Sequence, residues 1–382
     1  MPRIAPFAAL TFDPAVVGPL ERVTAPPYDV ISDEQRDRYA ADPHSIVRID
    51  LPHALGGAGD RYAAAADTLG GWIREGALRR EPIAYHAYEM AHPQGRVRGL
   101  LCALELEAWG GAVIPHERTM TGPLDDRLRL LRATRTHLSP VYGTVPGPCG
   151  PLAELLDEAA ASTPAAELID RHGTRHRMWP VPAEVELDGW LAEEPFLIAD
   201  GHHRYTTALT YRDERRATEG PGPWDAILAF LVDAGSEPLP VRPFHRIQLS
   251  GEAPTPDDEL PDLEAALAAV SDEEVRVAVA TRGVDGVRFG TLALPGEAPA
   301  VRALHAAVLD DASAPEHLRF TPDAERAVAA VREGAVAAYL LPGTTPDRIR
   351  KVVERGERLP QKSTYFWPKP RTGMALMPLD PS

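Results

Sequence analysis

Apolar positions along the chain switch between a spacing near 3.6 and a spacing near 2, which predicts interleaved helices and strands. Tyr62, Ala65, Leu69, Trp72 and Ile73 recur at helical spacing and predict an amphipathic helix over 60–78. Gly70 and Gly71 weaken it by about 1 kcal/mol each relative to Ala. Residues 83–88 and 99–106 read as strands around the turn Pro93-Gln94-Gly95. A helix over 123–133 has Asp125 and Asp126 in its first turn and Arg129 and Arg132 later, which suits the helix dipole. Another over 151–161 puts Leu152, Leu155, Leu156 and Ala159 on one face. Residues 196–199 form a short apolar strand, followed by a helix over 205–217 that Gly220-Pro221-Gly222-Pro223 ends. Residues 227–232 read as a buried strand. Further on, 275–280 and 287–294 flank Gly283-Val284-Asp285-Gly286 as a hairpin. Helices over 323–332 and 346–355 enclose a strand over 336–341, with Ile349, Val352 and Val353 facing inward. Residues 24–31, fixed by Pro26 and Pro27, are expected to be extended. The Pro- and acid-rich stretch 252–262 is expected to be a linker.

These elements predict an α/β protein with a small mixed sheet at its centre. Four segments follow: an N-terminal α/β unit over 1–110, a core over 111–250, an appended α/β piece over 251–345, and a C-terminal helix and tail over 346–382 that returns to the site. The 382 residues leave room for a sizeable core, and 44% hydrophobic with 25% charged residues is globular composition. The net charge of −16 argues against a nucleic-acid surface but leaves room for a local basic pocket. Cys102 and Cys149 form no CxxC pair and no disulfide framework, which points to a reduced, cytoplasmic setting. The first eight residues carry one Arg and no long apolar run, so no signal peptide is expected. No apolar stretch is long enough to predict a membrane span.

Candidate chemistry concentrates in three places. Phe196-Leu197-Ile198-Ala199-Asp200-Gly201-His202-His203-Arg204-Tyr205 runs from an apolar strand through a glycine into a helix. Amides and dipole at such a helix start favour an anion, and Gly201 lets the backbone approach it closely. Arg204, His202 and His203 add donors for phosphate oxygens, and Asp200 is placed to hold Mg²⁺ or a substrate hydroxyl. The plain alternative is an N-cap Asp beside surface histidines. Four such groups in five residues after a buried strand favour function. Secondly, in Val113-Ile114-Pro115-His116-Glu117-Arg118-Thr119, Glu117 is a candidate general base, with His116, Arg118 and Thr119 as orienting neighbours. A solvated loop is the alternative. Thirdly, the stretch 359–373 packs Lys362, Ser363, Thr364, Tyr365, Phe366, Trp367, Lys369 and Arg371 together. It reads as a phosphate- or carboxylate-binding loop, as a C-terminal strand packed on the core, or as both. Tyr28-Asp29 and His245-Arg246 are candidates for the substrate side of the pocket, whereas Asp126-Arg127 reads as a helix-surface pair. His172 and His176 have i,i+4 spacing, but Gly173 and the flanking arginines argue against a metal site there. Walker A, GxGxxG, GxSxG and HExxH patterns do not occur.

In order, PPYDVI, HExT, ADGHHRY and QKSTYFxPKxxTG resemble the family known as domain of unknown function 1015, over nearly the whole chain. The DGHHR turn is also similar to the nucleotide-binding turn of the ParB and sulfiredoxin superfamily, and within it to the free serine kinases. That resemblance implies a ParB/sulfiredoxin-like core and ATP or ADP as co-substrate. It implies transfer of phosphate to the hydroxyl of L-serine, or the reverse. Glu117 would be the base and Asp200 the serine- or magnesium-side group, with 201–204 as phosphate cradle. His stands where sulfiredoxins carry their reactive Cys, which disfavours that chemistry. The expected protein is therefore a cytoplasmic, Mg²⁺- and nucleotide-dependent kinase of a small hydroxyl metabolite, with Glu117, Asp200 and His202 catalytic. A nucleotide-hydrolysing switch and a phosphatase of a phosphorylated metabolite are the alternatives. A second copy of the chain is a candidate partner.

Overall fold

The structure is a computed structural model describing residues 3–55, 59–117, 122–145, 148–185, 187, 195–237, 239–284, 286–309 and 317–380. It is mixed α/β and divides into two compact units. The first comprises Met1–Pro115, Thr119–Pro238 and Pro368–Ser382, and the second His116–Arg118 and Leu239–Trp367.

A ten-stranded mixed sheet organises the first unit. Its main path runs Val113–Pro115, Phe196–Asp200, Val141–Val145, Ala226–Asp233, Gly95–Glu105, Leu78–His92, Arg175–Pro182, Ala166–Ile169. Phe196–Asp200 lies parallel to Val113–Pro115, and Ala226–Asp233 parallel to Val141–Val145; the other pairings are antiparallel. Strands from 1–110 and from 111–250 thus share one sheet. Ala226–Asp233 is buried along almost its whole length because it lies inside the sheet, as its continuous apolar run requires. One face of the sheet packs into a core that includes Leu100, Cys102, Leu104, Val141, Phe196, Ile198 and Leu231. Gly143 is essential to that packing, since a Cβ there would meet the Phe196 ring at 1.9 Å. Buried tail residues Met374, Ala375, Leu376 and Met377 close the unit. Leu376 exchanges backbone hydrogen bonds with Leu10, Thr372 pairs with Ala25, and Met377–Pro378 pairs with Thr136–His137.

A six-stranded antiparallel sheet builds the second unit, in the order Asp258–Leu260, Gly286–Ala293, Arg276–Gly283, Ala337–Leu340, His245–Gln248, Leu318–Thr321. Helix Ala324–Arg332 covers it through Ala327, Val328 and Val331. The predicted hairpin is present at the predicted place.

Most predicted elements appear within a few residues of their expected limits. The helix expected over 60–78 is Arg61–Arg74, because Glu75 and Gly76, at φ +78°, end it and Leu78 starts a strand. The helix expected from 205 begins at His202. The central sheet is large, not small, because strands from 1–110 and 111–250 join in it, and two further expectations are corrected. The supposed linker contains the edge strand Asp258–Leu260, and the supposedly extended 24–31 contains a 3₁₀ turn, Tyr28–Val30. Pairing with Gly286–Ala293 orders the former; Pro27 sets the φ that starts the latter.

Candidate functional site

Phe196–Asp200 is buried up to its last residue and delivers Asp200 to the start of the 18-residue helix His202–Glu219. Gly201 joins them in the left-handed region, φ 96° and ψ 26°. A side chain there is strained by φ, and its Cβ would lie 3.1 Å from the Arg204 guanidinium. As N-cap, Gly201 brings no side-chain acceptor to neutralise the positive end of the helix. Arg204, one turn on, donates from Nη2 to Asp200 Oδ2 at 2.5 Å and from Nη1 to Ser139 Oγ at 3.1 Å and to the Pro140 carbonyl. Lys369 Nζ donates to Asp200 Oδ1 and lies 3.8 Å from Asp29 Oδ2. The turn, Asp29 from the N-terminal segment and Lys369 from the tail therefore form one cluster inside the first unit.

Tyr28 and Arg127 flank this cluster. Arg127 lies 4.5 Å over the Tyr28 ring and donates to the Asp50 carbonyl at 2.8 Å and to Asp50 Oδ1 at 3.0 Å. It also pairs with Asp126 at 2.5 Å. Burial, reinforced by Asp29, pushes the Tyr28 phenol up to about 12. Burial also raises the Asp50 carboxyl, against the pull of Arg127. The expectation of Asp126-Arg127 as a surface pair is corrected, because Arg127 is buried. Its position held the clue: Arg127, Leu130, Leu131 and Thr134 recur at i, i+3, i+4 and i+7 on the buried face of helix Gly122–Thr134. Asp50 was missed as a site residue for want of any local motif.

Glu117 belongs to the second unit. Its Oε2 accepts from the Lys362 amide at 3.1 Å. Its Oε1 accepts from the amides of Ser363 and Thr364 at 2.9 and 2.8 Å and from Thr364 Oγ1 at 2.7 Å. Three successive amides converging on one carboxylate form an anion-binding nest, opened by Lys362 at φ +53°. Thr364 Oγ1 gives its proton to Glu117, and so receives from His116 Nε2 at 2.6 Å. Fully buried Arg246 holds the same loop by its carbonyls, donating to Lys362 O at 2.6 Å and Gln361 O at 3.1 Å, and also to Phe244 O at 2.8 Å. Burial pulls its pKa down to about 9. His245 is buried too, held down to about 4 by burial and by Arg246, and its Nδ1 accepts from the Leu341 amide. Thr364–Phe366 pairs with Val241–Pro243 as a strand, as one reading of the tail expected.

Other expected site residues are placed elsewhere. His202 is buried and stacked on Trp109, with ring centroids 6.2 Å apart, and His203 is half-buried beside it on the helix. Arg371 holds the tail to Thr24, donating to its carbonyl at 2.5 Å and its hydroxyl at 2.9 Å. Arg118 and Thr119 lie outside the described residues. His176 is a buried strand residue, 2.8 Å from the Tyr88 hydroxyl and 3.3 Å from Asp170. Among the described residues, no group of three or more His, Cys, Asp or Glu is assembled to hold a metal ion. Asp200, the residue expected to face Mg²⁺, has its two carboxylate oxygens engaged by Arg204 and Lys369. No described helix is long and apolar enough to cross a membrane.

Among solved structures, the chain is similar to a variant free serine kinase in complex with ADP, at 15% identity and TM-score 0.38, over 67% of this chain and 84% of that one. A free serine kinase in complex with AMP is similar at 15% identity and TM-score 0.37, over 67% and 83%. So is a conserved hypothetical protein from Pyrococcus furiosus, at 15% identity and TM-score 0.38, over 69% and 90%. No curated protein matches. Residues 4–328 match the family described as "Protein of unknown function (DUF1015)", and the chain belongs to that family.

Proposed function

We propose that the protein is a nucleotide-dependent phosphotransferase whose acceptor is a small hydroxyl compound, with free L-serine as the first candidate. The observation that carries this reading is the turn at Asp200–Arg204, where a helix N-terminus, Arg204 and Lys369 meet at a strand end behind a left-handed glycine. Such a corner favours phosphoryl oxygens. In the transfer, the bond from the terminal phosphorus of ATP or ADP to its bridging oxygen breaks, and a bond from that phosphorus to the acceptor oxygen forms. The hydroxyl proton leaves to a base, and the nucleotide departs one phosphate shorter. Positioning and charge neutralisation supply most of the rate. A Mg²⁺ ion accompanying the nucleotide would supply further charge neutralisation at the phosphates. The resemblance gives proton acceptance to Glu117; its four hydrogen bonds from the 362–364 loop support a role in anchoring that loop.

The test is to incubate the purified full-length chain with ATP or ADP, Mg²⁺ and pooled amino acids, and to follow products by mass spectrometry. The expected result is a phosphorylated acceptor formed in step with loss of nucleotide phosphate. Nucleotide hydrolysis with no phosphorylated acceptor favours a switch. Phosphate release from O-phosphoserine without nucleotide favours a phosphatase. Either outcome overturns the proposal.

A further inference from the structure

Beside Arg204, within the first unit, lies a cavity of about 50 Å³. Two of its lining side chains carry a buried polar atom with no hydrogen-bond partner: His137 Nε2 and Thr207 Oγ1. His137 is 8% exposed and Thr207 4%. Leaving such atoms unpaired is costly, and buried polar groups are nearly always satisfied in native proteins. Two of them on one small cavity call for an occupant that bonds to both.

The chain brings them there for separate reasons. Thr207 is three residues after Arg204 on helix His202–Glu219, so both side chains lie on the same helix face. His137 sits on the short strand Thr136–His137, which the tail strand Met377–Pro378 holds in place. Ser139, two residues on, also lines the cavity and accepts from Arg204. Burial pushes the His137 imidazole down to about 4, so it is neutral near pH 7. A neutral imidazole nitrogen and a threonine hydroxyl are complementary to one further hydroxyl group, which donates to one and accepts from the other whichever imidazole nitrogen carries the proton.

We infer that this cavity is the subsite for the hydroxyl-bearing end of a small acceptor, with Thr207 and His137 as its specificity-determining residues. The assignment of the bound compound as a phosphoryl acceptor rests on the phosphotransferase reading; the hydroxyl selectivity does not. The volume limits the class, because a bound water takes about 10–15 Å³, so roughly four non-hydrogen atoms fit. That admits a hydroxymethyl end with a neighbouring atom or two, so compounds such as L-serine and glycerol enter by that end and the rest of each lies outside the cavity.

The experiment uses the full chain with ADP present and measures binding of L-serine and glycerol, with L-alanine as the comparison that lacks the hydroxyl. Wild type should bind L-serine or glycerol at least roughly tenfold more tightly than L-alanine, about the worth of one hydrogen bond. Thr207→Val, which keeps the shape, should lose that preference while ADP affinity stays unchanged, and Thr207→Ser should restore it. The inference is overturned if L-alanine binds as well as L-serine, if Thr207→Val binds like wild type, if wild type binds neither hydroxyl compound, or if a ligand-soaked crystal shows an ordered water only. The wild-type comparison stands even if a variant fails to fold. Thr207-dependent hydroxyl binding without any phosphorylated product defeats the phosphotransferase reading alone. Phosphorylated product made equally well by Thr207→Val defeats the subsite alone.

Discussion

Replacing Lys369 with Met is the sharpest probe of the cluster at the Asp200 turn. The ammonium is 6% exposed, donates to Asp200 and lies 3.8 Å from Asp29, whose side chains are 17% and 25% exposed. Removing one member of a fully buried pair costs about 3–5 kcal/mol. Asp200 keeps Arg204 in the variant, and both carboxylates retain some water, so about 2–3 kcal/mol is expected here. On the proposed function the same variant also loses one cation facing the nucleotide. A charge-assisted hydrogen bond contributes about 1.5–3 kcal/mol, which is roughly a ten- to hundredfold rise in Kd for ADP. Urea unfolding measures the first effect and titration calorimetry with ADP the second. Adding Asp200→Asn should recover part of the lost stability, with a coupling of about 1–2 kcal/mol, because the second change removes the carboxylate that the first left short of a partner. Asp200→Asn alone should lower stability yet tighten ADP, since Arg204 and Lys369 then lack their competing counter-ion. Unchanged stability and unchanged ADP affinity in Lys369→Met would refute the reasoning, and additive effects in the double variant would show that the two groups do not act as a pair.

Three further outcomes are expected. Glu117→Gln replaces an acceptor oxygen with a donor that faces backbone amides, so it should cost about 1–3 kcal/mol and speed hydrogen exchange at Lys362–Thr364. Lost product formation at full stability would instead mark Glu117 as a proton acceptor alone. Arg246→Leu strands the carbonyls of Phe244, Gln361 and Lys362 and should destabilise by about 3–5 kcal/mol in chemical denaturation; a cost below about 1 kcal/mol contradicts the clamp. Burial raises the Asp170 carboxyl, but hydrogen bonds from His176 and from the amides of Thr174 and His172 outweigh it and hold the pKa near about 2. A carboxylate depressed on folding stabilises above its unfolded pKa of 3.8 and loses that contribution as pH falls towards 2. Asp170→Asn should therefore cost about 1–2 kcal/mol at pH 7, after allowing for partial solvent screening, and progressively less between pH 4 and 2. A pH-independent difference is the contrary result.

Local pattern made much of this legible. The hairpin Arg276–Gly283 and Gly286–Ala293, the strand Phe196–Asp200 and the helix after it follow from periodicity and from glycine placement alone. Gly201 was identifiable because a strand-to-helix corner with a close approach needs it. What was hidden depends on partners far along the chain. Arg175–Pro182 reads poorly as a strand because Pro180 and Pro182 sit in it, and it tolerates them where Ala166–Ile169 no longer pairs alongside. In the sequence Glu117 reads as a candidate base and Arg246 as a candidate for the substrate side, and neither reads as a clamp on a distant loop. Only the loop 361–364, more than a hundred residues from either, supplies the backbone groups that let both be buried or nearly so. Arg371 and Lys369 sit two residues apart in one motif, yet Thr24 takes one and Asp200 the other.

Residues after Trp367 belong to the first unit, and the 129 residues Leu239–Trp367 are spliced into the chain before them. A ribosome therefore finishes the second unit before it delivers the segment whose Leu376 bonds to Leu10 and whose Lys369 meets Asp200. During that interval Leu10 and Asp200 lack these native neighbours, and the corner around Asp200 is incomplete. Assembly of that corner thus waits on the segment after the second unit.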